Sequence, residues 1–325
     1  MVGRTPISSG AVVMATGVLA LALRLDGRLS LSSVALGLAT AVWVGLAAVL
    51  LARAVTDPGR LGREIGEIRA LTLAAGSGVL GSGLALAGWR AAAVGLLVVG
   101  IALWGTTLAR VALRPPATRN GFWFLPAVAT QAVANLSAIL SVEEDAPWLA
   151  HLALALVVLG LALYLVGLWH FPLRQLRDGG GEIWIAGGAL AIGAMACGDL
   201  VRAIDTLSVM SGARDAVAGL DLAVWIAAMA WLPLLVAAEL RWPRPGYTSA
   251  RWATAFPVGM YAASSFLTGA ALGVGGITDF ARVWVWVALA VWALVAVGLI
   301  RLVRDARAAR RDPPAPSGPR PRASG

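Results

Sequence analysis

The chain has 325 residues, of which 59% are hydrophobic and 13% are charged. Soluble domains carry about 25% charged residues, so this composition excludes an ordinary soluble domain and predicts a membrane protein. The net charge of +9 does not predict nucleic-acid binding, because the arginines flank apolar segments or lie near the C-terminus rather than forming an aromatic-studded basic domain.

Ten apolar segments follow along the chain, each near the length of about 20 residues that a helix needs to cross a bilayer. They are 7–23, 31–52, 70–88, 91–109, 121–141, 148–169, 184–204, 217–237, 252–273 and 283–303. We therefore predict an all-α polytopic membrane protein with one ten-helix transmembrane domain over residues 1–303. Residues 304–325 are rich in arginine and proline, which predicts a disordered cytoplasmic tail.

The arginines orient these helices. With the N-terminus inside, 20 of the 26 basic residues lie on the cytoplasmic side and six on the outer side. Because basic residues concentrate on the cytoplasmic side of membrane proteins, we predict that both termini are cytoplasmic. The alternative is a cleaved signal peptide over 1–23, which is disfavoured because only Arg4 precedes its apolar run. The lack of lysine and the abundance of alanine and glycine indicate a GC-rich bacterium, and hence the bacterial inner membrane.

Small and polar residues alternate between the spans. The odd-numbered spans hold roughly twice as many Gly, Ser, Thr, Asn and Gln residues as the even-numbered spans, and such residues favour close helix packing over lipid contact. We therefore predict inner odd helices and outer even helices. From this count alone, packing around no cavity stays an equal alternative to packing around a pore.

Two prolines and a set of polar side chains on the odd spans point to a pore. Pro126 and Pro257 are predicted helix kinks, because proline in a membrane helix is tolerated where the freed carbonyl groups find partners or line a cavity. Gln131 and Asn135 are spaced i, i+4 and so lie near one face. The predicted pore-lining residues are Thr16, Thr130, Gln131, Asn135, Ser264, Ser265 and Thr268.

The remaining reactive side chains do not form a catalytic pattern. Cys197 is the one cysteine, which excludes an intrachain disulfide and argues against a zinc site. Asp199 and Arg202, spaced i, i+3, are interpreted as a local ion pair at the membrane rim, in preference to an anion site or charged gate. No paired acidic motif or phosphate loop is present, so we predict no enzyme activity, no metal and no cofactor.

Four segments resemble, in order, those of the tellurite-resistance/dicarboxylate transporter family, which includes the yeast malate permease and sulfite pump and the plant slow anion channels. They are SGAVVMATGVLALAL (9–23), TLAAGSGVLGSGLAL (72–86), FWFLPAVATQAVANLSA (122–138) and RWATAFPVGMYAAS (251–264). The resemblance covers roughly residues 7–303. The seventh span departs from the pattern, because it lacks an expected proline.

The resemblance implies five helical hairpins around a central pore with quasi-fivefold symmetry, assembly as a homo-trimer in the lipid bilayer, and passage of small anions. It also implies a phenylalanine gate on the ninth helix. The Trp–x–x–x–Phe–Pro pattern assigns this gate to Phe256, with Phe266 as a reserve.

We therefore predict a channel or permease for small anions. The alternatives left open are a proton-coupled carrier for C4-dicarboxylates and an exporter of sulfite or tellurite-related species. From another class, a non-transporting membrane scaffold or sensor also stays open. The sequence does not choose among chloride, nitrate, sulfite, malate and tellurite-related anions.

Overall fold

The computed structural model describes residues 9–243 and 246–311, and every regular element in these ranges is helical. The α-helices are α1 Gly10–Leu25, α2 Leu29–Thr56, α3 Pro58–Ile65, α4 Leu71–Leu86, α5 Arg90–Leu113, α6 Leu125–Glu143, α7 Pro147–His170, α8 Gln175–Asp178, α9 Ile185–Leu207, α10 Arg214–Arg241, α11 Trp252–Leu272 and α12 Gly275–Arg311. The predicted all-α class is confirmed.

Ten of these helices correspond to the ten predicted spans, whereas α3 and α8 are short helices in the connections. Within the described ranges, nine helical segments are long and apolar enough to cross a bilayer, and α1 is a shorter apolar helix of 16 residues. In the described ranges, single 3-10 turns precede five of the helices, at Ile68–Ala70, Gly121–Phe124, Gly181–Trp184, Ser211–Ala213 and Ser249–Arg251. The protein is therefore a multi-pass membrane protein.

Burial divides the ten helices into two sets. We call α1, α4, α6, α9 and α11 the inner ring and α2, α5, α7, α10 and α12 the outer ring. In its most apolar stretch, α9 is 100% buried within the protein, whereas α12 is only 17% buried. Because a surface that contacts lipid needs no protein partner, the outer ring is the lipid-facing layer. The predicted division into inner odd and outer even spans is confirmed.

The inner helices contact one another in a closed cycle. The cycle runs α1, α4, α6, α9, α11 and back to α1, and each inner helix also packs against the outer helix that follows it in the chain. The result is five antiparallel hairpins around one axis. Glycines permit the close approach: a side chain at Gly78 would meet the backbone of Ala132 on α6, and one at Gly188 would meet Pro257 on α11.

Two local expectations need correction. Pro126 is the second residue of α6, a position where a missing N–H removes no intrahelical hydrogen bond. Pro126 therefore begins the helix and does not kink it. Helix α12 continues to Arg311, so residues 304–311 of the predicted tail are helical. Residues 312–325 lie outside the described part of the chain.

Pro257 lies inside α11, as predicted. Pro233 also lies within a helix, in α10, where the sequence had predicted no kink. A proline inside a helix lacks an N–H, so the carbonyl group one turn earlier loses its hydrogen-bond donor.

Candidate functional site

The N-terminal ends of all five inner helices surround one cavity of about 230 Å³, which we call the vestibule. Each helix, or the turn leading into it, contributes to the wall. One lining residue from each, in chain order, is Met14, Thr72, Leu125, Ile185 and Phe256. The five inner helices therefore all begin at the same side of the molecule.

The electrostatics of the vestibule come mainly from the backbone. The N-terminus of a helix carries roughly half a positive elementary charge, because its first N–H groups have no intrahelical acceptor. Among the described residues that line the vestibule, Arg69 is the one cation and Glu182 is the one anion, so their formal charges offset each other. The Arg69 guanidinium lies 4.5 Å from the centre of the Phe122 ring. The helix termini thus leave a positive bias at this cavity.

Phe256 lies at the inner end of the vestibule. It is the lining residue furthest along α11, and only 2% of its surface is exposed. The following residue, Pro257, packs against Gly188 of α9, which fixes this turn of α11 against the neighbouring inner helix. Phe266 is also buried but is not part of the vestibule wall.

Hydroxyl groups on the inner ring accept hydrogen bonds from tryptophans on the outer ring. The four indole N–H donors and their acceptors are Trp292 to Thr16 at 3.0 Å, Trp43 to Ser77 at 3.0 Å, Trp104 to Thr130 at 2.8 Å and Trp225 to Ser265 at 2.9 Å. The hydroxyl groups of Thr16, Thr130 and Ser265, which the sequence predicts to line a pore, are therefore engaged between the two rings.

This pattern repeats around the ring. In each of the four pairs the tryptophan lies on the outer helix of one hairpin, and the hydroxyl group lies on the inner helix of the next hairpin in the cycle. At the remaining seam, between α7 and α9, Trp231 of α10 instead donates to the Tyr164 hydroxyl of α7 at 2.8 Å. The departure falls on α9, the span that also lacks the proline expected from the resemblance.

Two further predicted pore residues also contact the outer ring. Gln131 donates from Nε2 to the Val157 carbonyl of α7 at 3.0 Å, and Thr268 donates to Asp221 Oδ1 of α10 at 2.7 Å. Ser264 is buried, and its hydroxyl group lies 3.4 Å from the Tyr261 carbonyl of its own helix.

Asn135 is placed differently. Its Nδ2 donates to Asp199 Oδ2 of α9 at 2.7 Å, and its Oδ1 accepts from the Ser82 hydroxyl of α4 at 3.0 Å. Helices α4 and α9 flank α6 on its two sides in the inner ring. A side chain that reaches both must lie on the face of α6 turned away from the outer ring. Asn135 therefore faces the interior of the ring.

Asp199 extends this contact to a charged group. Its Oδ1 lies 3.4 Å from Arg202 Nε, which confirms the predicted i, i+3 ion pair. The pair lies toward the C-terminal end of α9, at the side opposite to the vestibule. Ser82, Asn135, Asp199 and Arg202 form what we call the polar network. The sequence showed each residue but did not indicate that Asn135 and Asp199 meet.

Comparisons with known proteins agree with this architecture. Residues 4–300 match the family model described as voltage-dependent anion channel. The chain is also 32% identical over 153 residues to an uncharacterized membrane protein of Mycobacterium tuberculosis, found in strains CDC 1551 and H37Rv. That similarity covers 45% of this chain and 72% of the relative.

Proposed function

Because the chain belongs to the voltage-dependent anion channel family, we propose that it passes small anions across the membrane through the centre of the inner ring. The vestibule carries the proposal, because all five inner helices direct their N-termini toward this one cavity. Helix N-termini attract anions without a fixed cation. An anion held in this way is released more readily than one bound to a buried arginine. A channel family also agrees with the prediction that the chain is not an enzyme.

In this proposal Phe256 is the gate. A phenyl ring at the inner end of the vestibule is large enough to close a narrow passage, and its apolar surface does not hold an anion that reaches it. Ser264 lies eight residues further along α11, and we propose that Asn135 and Ser264 line the passage beyond the gate.

The test of the function is anion flux in proteoliposomes that contain the purified protein. The panel contains chloride, nitrate, sulfite, malate and tellurite. Flux of at least one anion above that of empty liposomes supports the proposal, and a scaffold or sensor gives none. A channel shows flux that rises steadily with concentration, whereas a carrier saturates.

The test of the gate is the Phe256→Ala variant. We expect anion conductance several-fold above that of the unmodified protein, because the vestibule then opens into the ring. Phe266→Ala is the matched control, since Phe266 is buried in the same helix but lies outside the vestibule. Truncating a packed phenylalanine typically costs about 3–5 kcal/mol of stability. Unchanged conductance with a large loss of stability would identify Phe256 as a core residue.

The same proposal includes the setting of the protein. We propose a homo-trimer in a bacterial inner membrane, with both termini and the vestibule on the cytoplasmic side.

Proton-coupled transport of C4-dicarboxylates is the second candidate function. It is favoured by Asp199, a buried carboxyl group that contacts a ring-facing asparagine. A carrier of this kind gives flux that follows an imposed proton gradient.

A further inference from the structure

A second buried carboxyl group lies close to the polar network, on the outer helix α10. Asp221 is 0% exposed. Its Oδ1 accepts the hydrogen bond from Thr268 of α11, and its Oδ2 has no hydrogen-bond partner among the described residues. A side chain at Gly198, the residue before Asp199, would lie 3.5 Å from Asp221 Oδ2. The unpartnered oxygen is therefore directed at α9, beside the polar network.

The groups around Asp221 do not balance a negative charge. Helix α10 packs against α9, α11 and the turn Ser211–Ala213, and near its cytoplasmic end against α8. From α9, the titratable groups on this side are Cys197, Asp199 and Arg202, and the Arg202 guanidinium is already paired with Asp199 at 3.4 Å. From α11, Thr268 supplies a hydroxyl group, and the one titratable residue, Tyr261, donates to the Ala228 carbonyl at 3.1 Å.

An ionised carboxylate in this position is costly. A charge at membrane depth requires a partner charge or several hydrogen bonds. Asp221 has one hydrogen bond from an uncharged hydroxyl group, and a second carboxylate, Asp199, lies in the adjacent helix. Protonation removes the charge and makes Oδ2 a neutral hydroxyl group.

We propose that Asp221 is a proton-binding site through which the outer solution regulates anion passage. The site lies on the side of the protein away from the vestibule, near the start of α10 and the end of α11. In the protonated form Asp221 is neutral and Asp199 is balanced by Arg202. On deprotonation the O–H bond at Oδ2 breaks, the proton passes to water of the outer solution, and no other bond changes.

Loss of the proton adds one negative charge beside the polar network. Because Asn135 of this network faces the ring interior, the added charge raises the electrostatic barrier for an anion in the passage. The inference rests on the proposed function for its effect on flux, but the proton-binding site itself does not require that anions pass.

Infrared spectroscopy tests the site independently of flux. A protonated carboxyl group has a carbonyl stretching band that a carboxylate or an amide lacks. We expect this band in the unmodified protein at mildly acidic pH, where exposed carboxyl groups are ionised, and its loss in Asp221→Asn. Asp205→Asn is the matched control, because Asp205 is an exposed acid at the same side of the protein that pairs with Arg214 at 2.8 Å. An acid band of equal size in the unmodified protein and in Asp221→Asn would overturn the inference.

A second variant keeps this test decisive if Asp221→Asn does not fold. Thr268→Val removes the one hydrogen bond to Asp221 and preserves the shape of the side chain. We expect the acid band to move to higher frequency, because its carbonyl oxygen no longer accepts a hydrogen bond. An unchanged band in a folded Thr268→Val protein would show that the protonated group lies elsewhere.

Flux at controlled outer pH tests the regulation. We expect anion flux to fall roughly fivefold when the outer solution is changed from acidic to alkaline, which corresponds to a potential change of one to two kT. Asp221→Asn should give high flux without this dependence, and Asp205→Asn should behave like the unmodified protein.

The regulation would be overturned if the flux of the unmodified protein did not change with outer pH, or if Asp221→Asn kept the same pH response. It would also be overturned if the flux responded to the sodium concentration at constant pH but not to pH. Absence of anion flux at every pH would instead contradict the proposed function. The infrared result would then still decide whether Asp221 binds a proton.

Discussion

At the scale of single residues, the polar side chains of α6 point in different directions. Thr130 contacts Trp104 of α5, Gln131 contacts the backbone of α7, and Asn135 reaches both α4 and α9. Gln131 and Asn135 are four residues apart, which leaves about 40° between them around the helix. The two side chains therefore lie near one face of α6: Gln131 is directed at α7, and Asn135, about 40° further round, reaches α4 and α9.

This difference predicts unequal access of water to the two positions. In a Cys197→Ala background, we expect Asn135→Cys to react with a small water-soluble thiol reagent and Gln131→Cys to stay unreactive, because only position 135 faces the ring interior. Leu294→Cys on the lipid-facing side of α12 is the unreactive control. The extent of modification is measured by mass spectrometry. Equal reaction at 131 and 135 would contradict the placement of Asn135.

Sequence reasoning identified the polar residues of the inner helices but not their partners. Helical periodicity gives the angle between two side chains, whereas the direction of either one depends on which neighbouring helix lies there. Asp221 shows the same limit. Its residue type at membrane depth is visible in the sequence, but its contact with Thr268 depends on how α10 and α11 pack.

At the scale of helices, the contacts between the rings are specified by tryptophans. Each of the four indole N–H groups reaches a hydroxyl group on the next inner helix, and in an apolar environment a donor without an acceptor is costly. These hydrogen bonds therefore favour one rotation of each outer helix about its own axis. The apolar surface that surrounds them favours no single rotation.

We expect Trp104→Phe to destabilise the protein by about 1 kcal/mol, which is the typical contribution of one hydrogen bond to stability. The ring is kept, while the N–H donor to Thr130 is lost. Trp169→Phe is the control, because Trp169 is 82% exposed on α7. Thermal unfolding in detergent measures both.

The double variant Trp104→Phe with Thr130→Val separates the hydrogen bond from packing. If the bond is responsible, the two changes together cost less than the sum of their separate effects. Strictly additive effects, or equal losses in Trp104→Phe and Trp169→Phe, would show that this contact does not stabilise the arrangement of the rings.

Composition predicted the helical arrangement better than the helix ends. The small residues of the odd spans marked these spans as inner helices, and Gly78 of α4 indeed lies against the α6 backbone. The outer helices extend beyond the apolar segments. Helix α12 begins at Gly275 and ends at Arg311, since a helix continues into polar sequence until its backbone is capped or broken. Hydrophobicity reports only the part that lies in the bilayer.

At the scale of the whole molecule, the two ends of the ring differ in charge and shape. The end with the vestibule also carries the connections after α5 and α7, and these share a surface cavity lined by Asn120, Arg174 and Glu182. At the opposite end, Arg90 pairs with Glu143 at 3.2 Å. The distribution of arginines assigns the connections after α5 and α7 to the cytoplasmic side, and the end with Arg90 and Glu143 to the outer side. The side on which the vestibule opens therefore follows from the orientation of the chain.

We predict that reporter fusions after Pro115, after Asp178 and at the C-terminus report the cytoplasm, and that a fusion after Asp145 reports the outside. The physical reason is the 20-to-6 distribution of arginines, since moving basic segments across the membrane is disfavoured during insertion. A reporter active only in the cytoplasm and one active only outside are compared at each position. Consistent reversal would place the vestibule on the outer side and the polar network on the cytoplasmic side. The five helix N-termini would then attract anions from outside, and Asp221 would respond to cytoplasmic pH. The direction in which anions enter and the solution that regulates Asp221 thus depend on this one measurement.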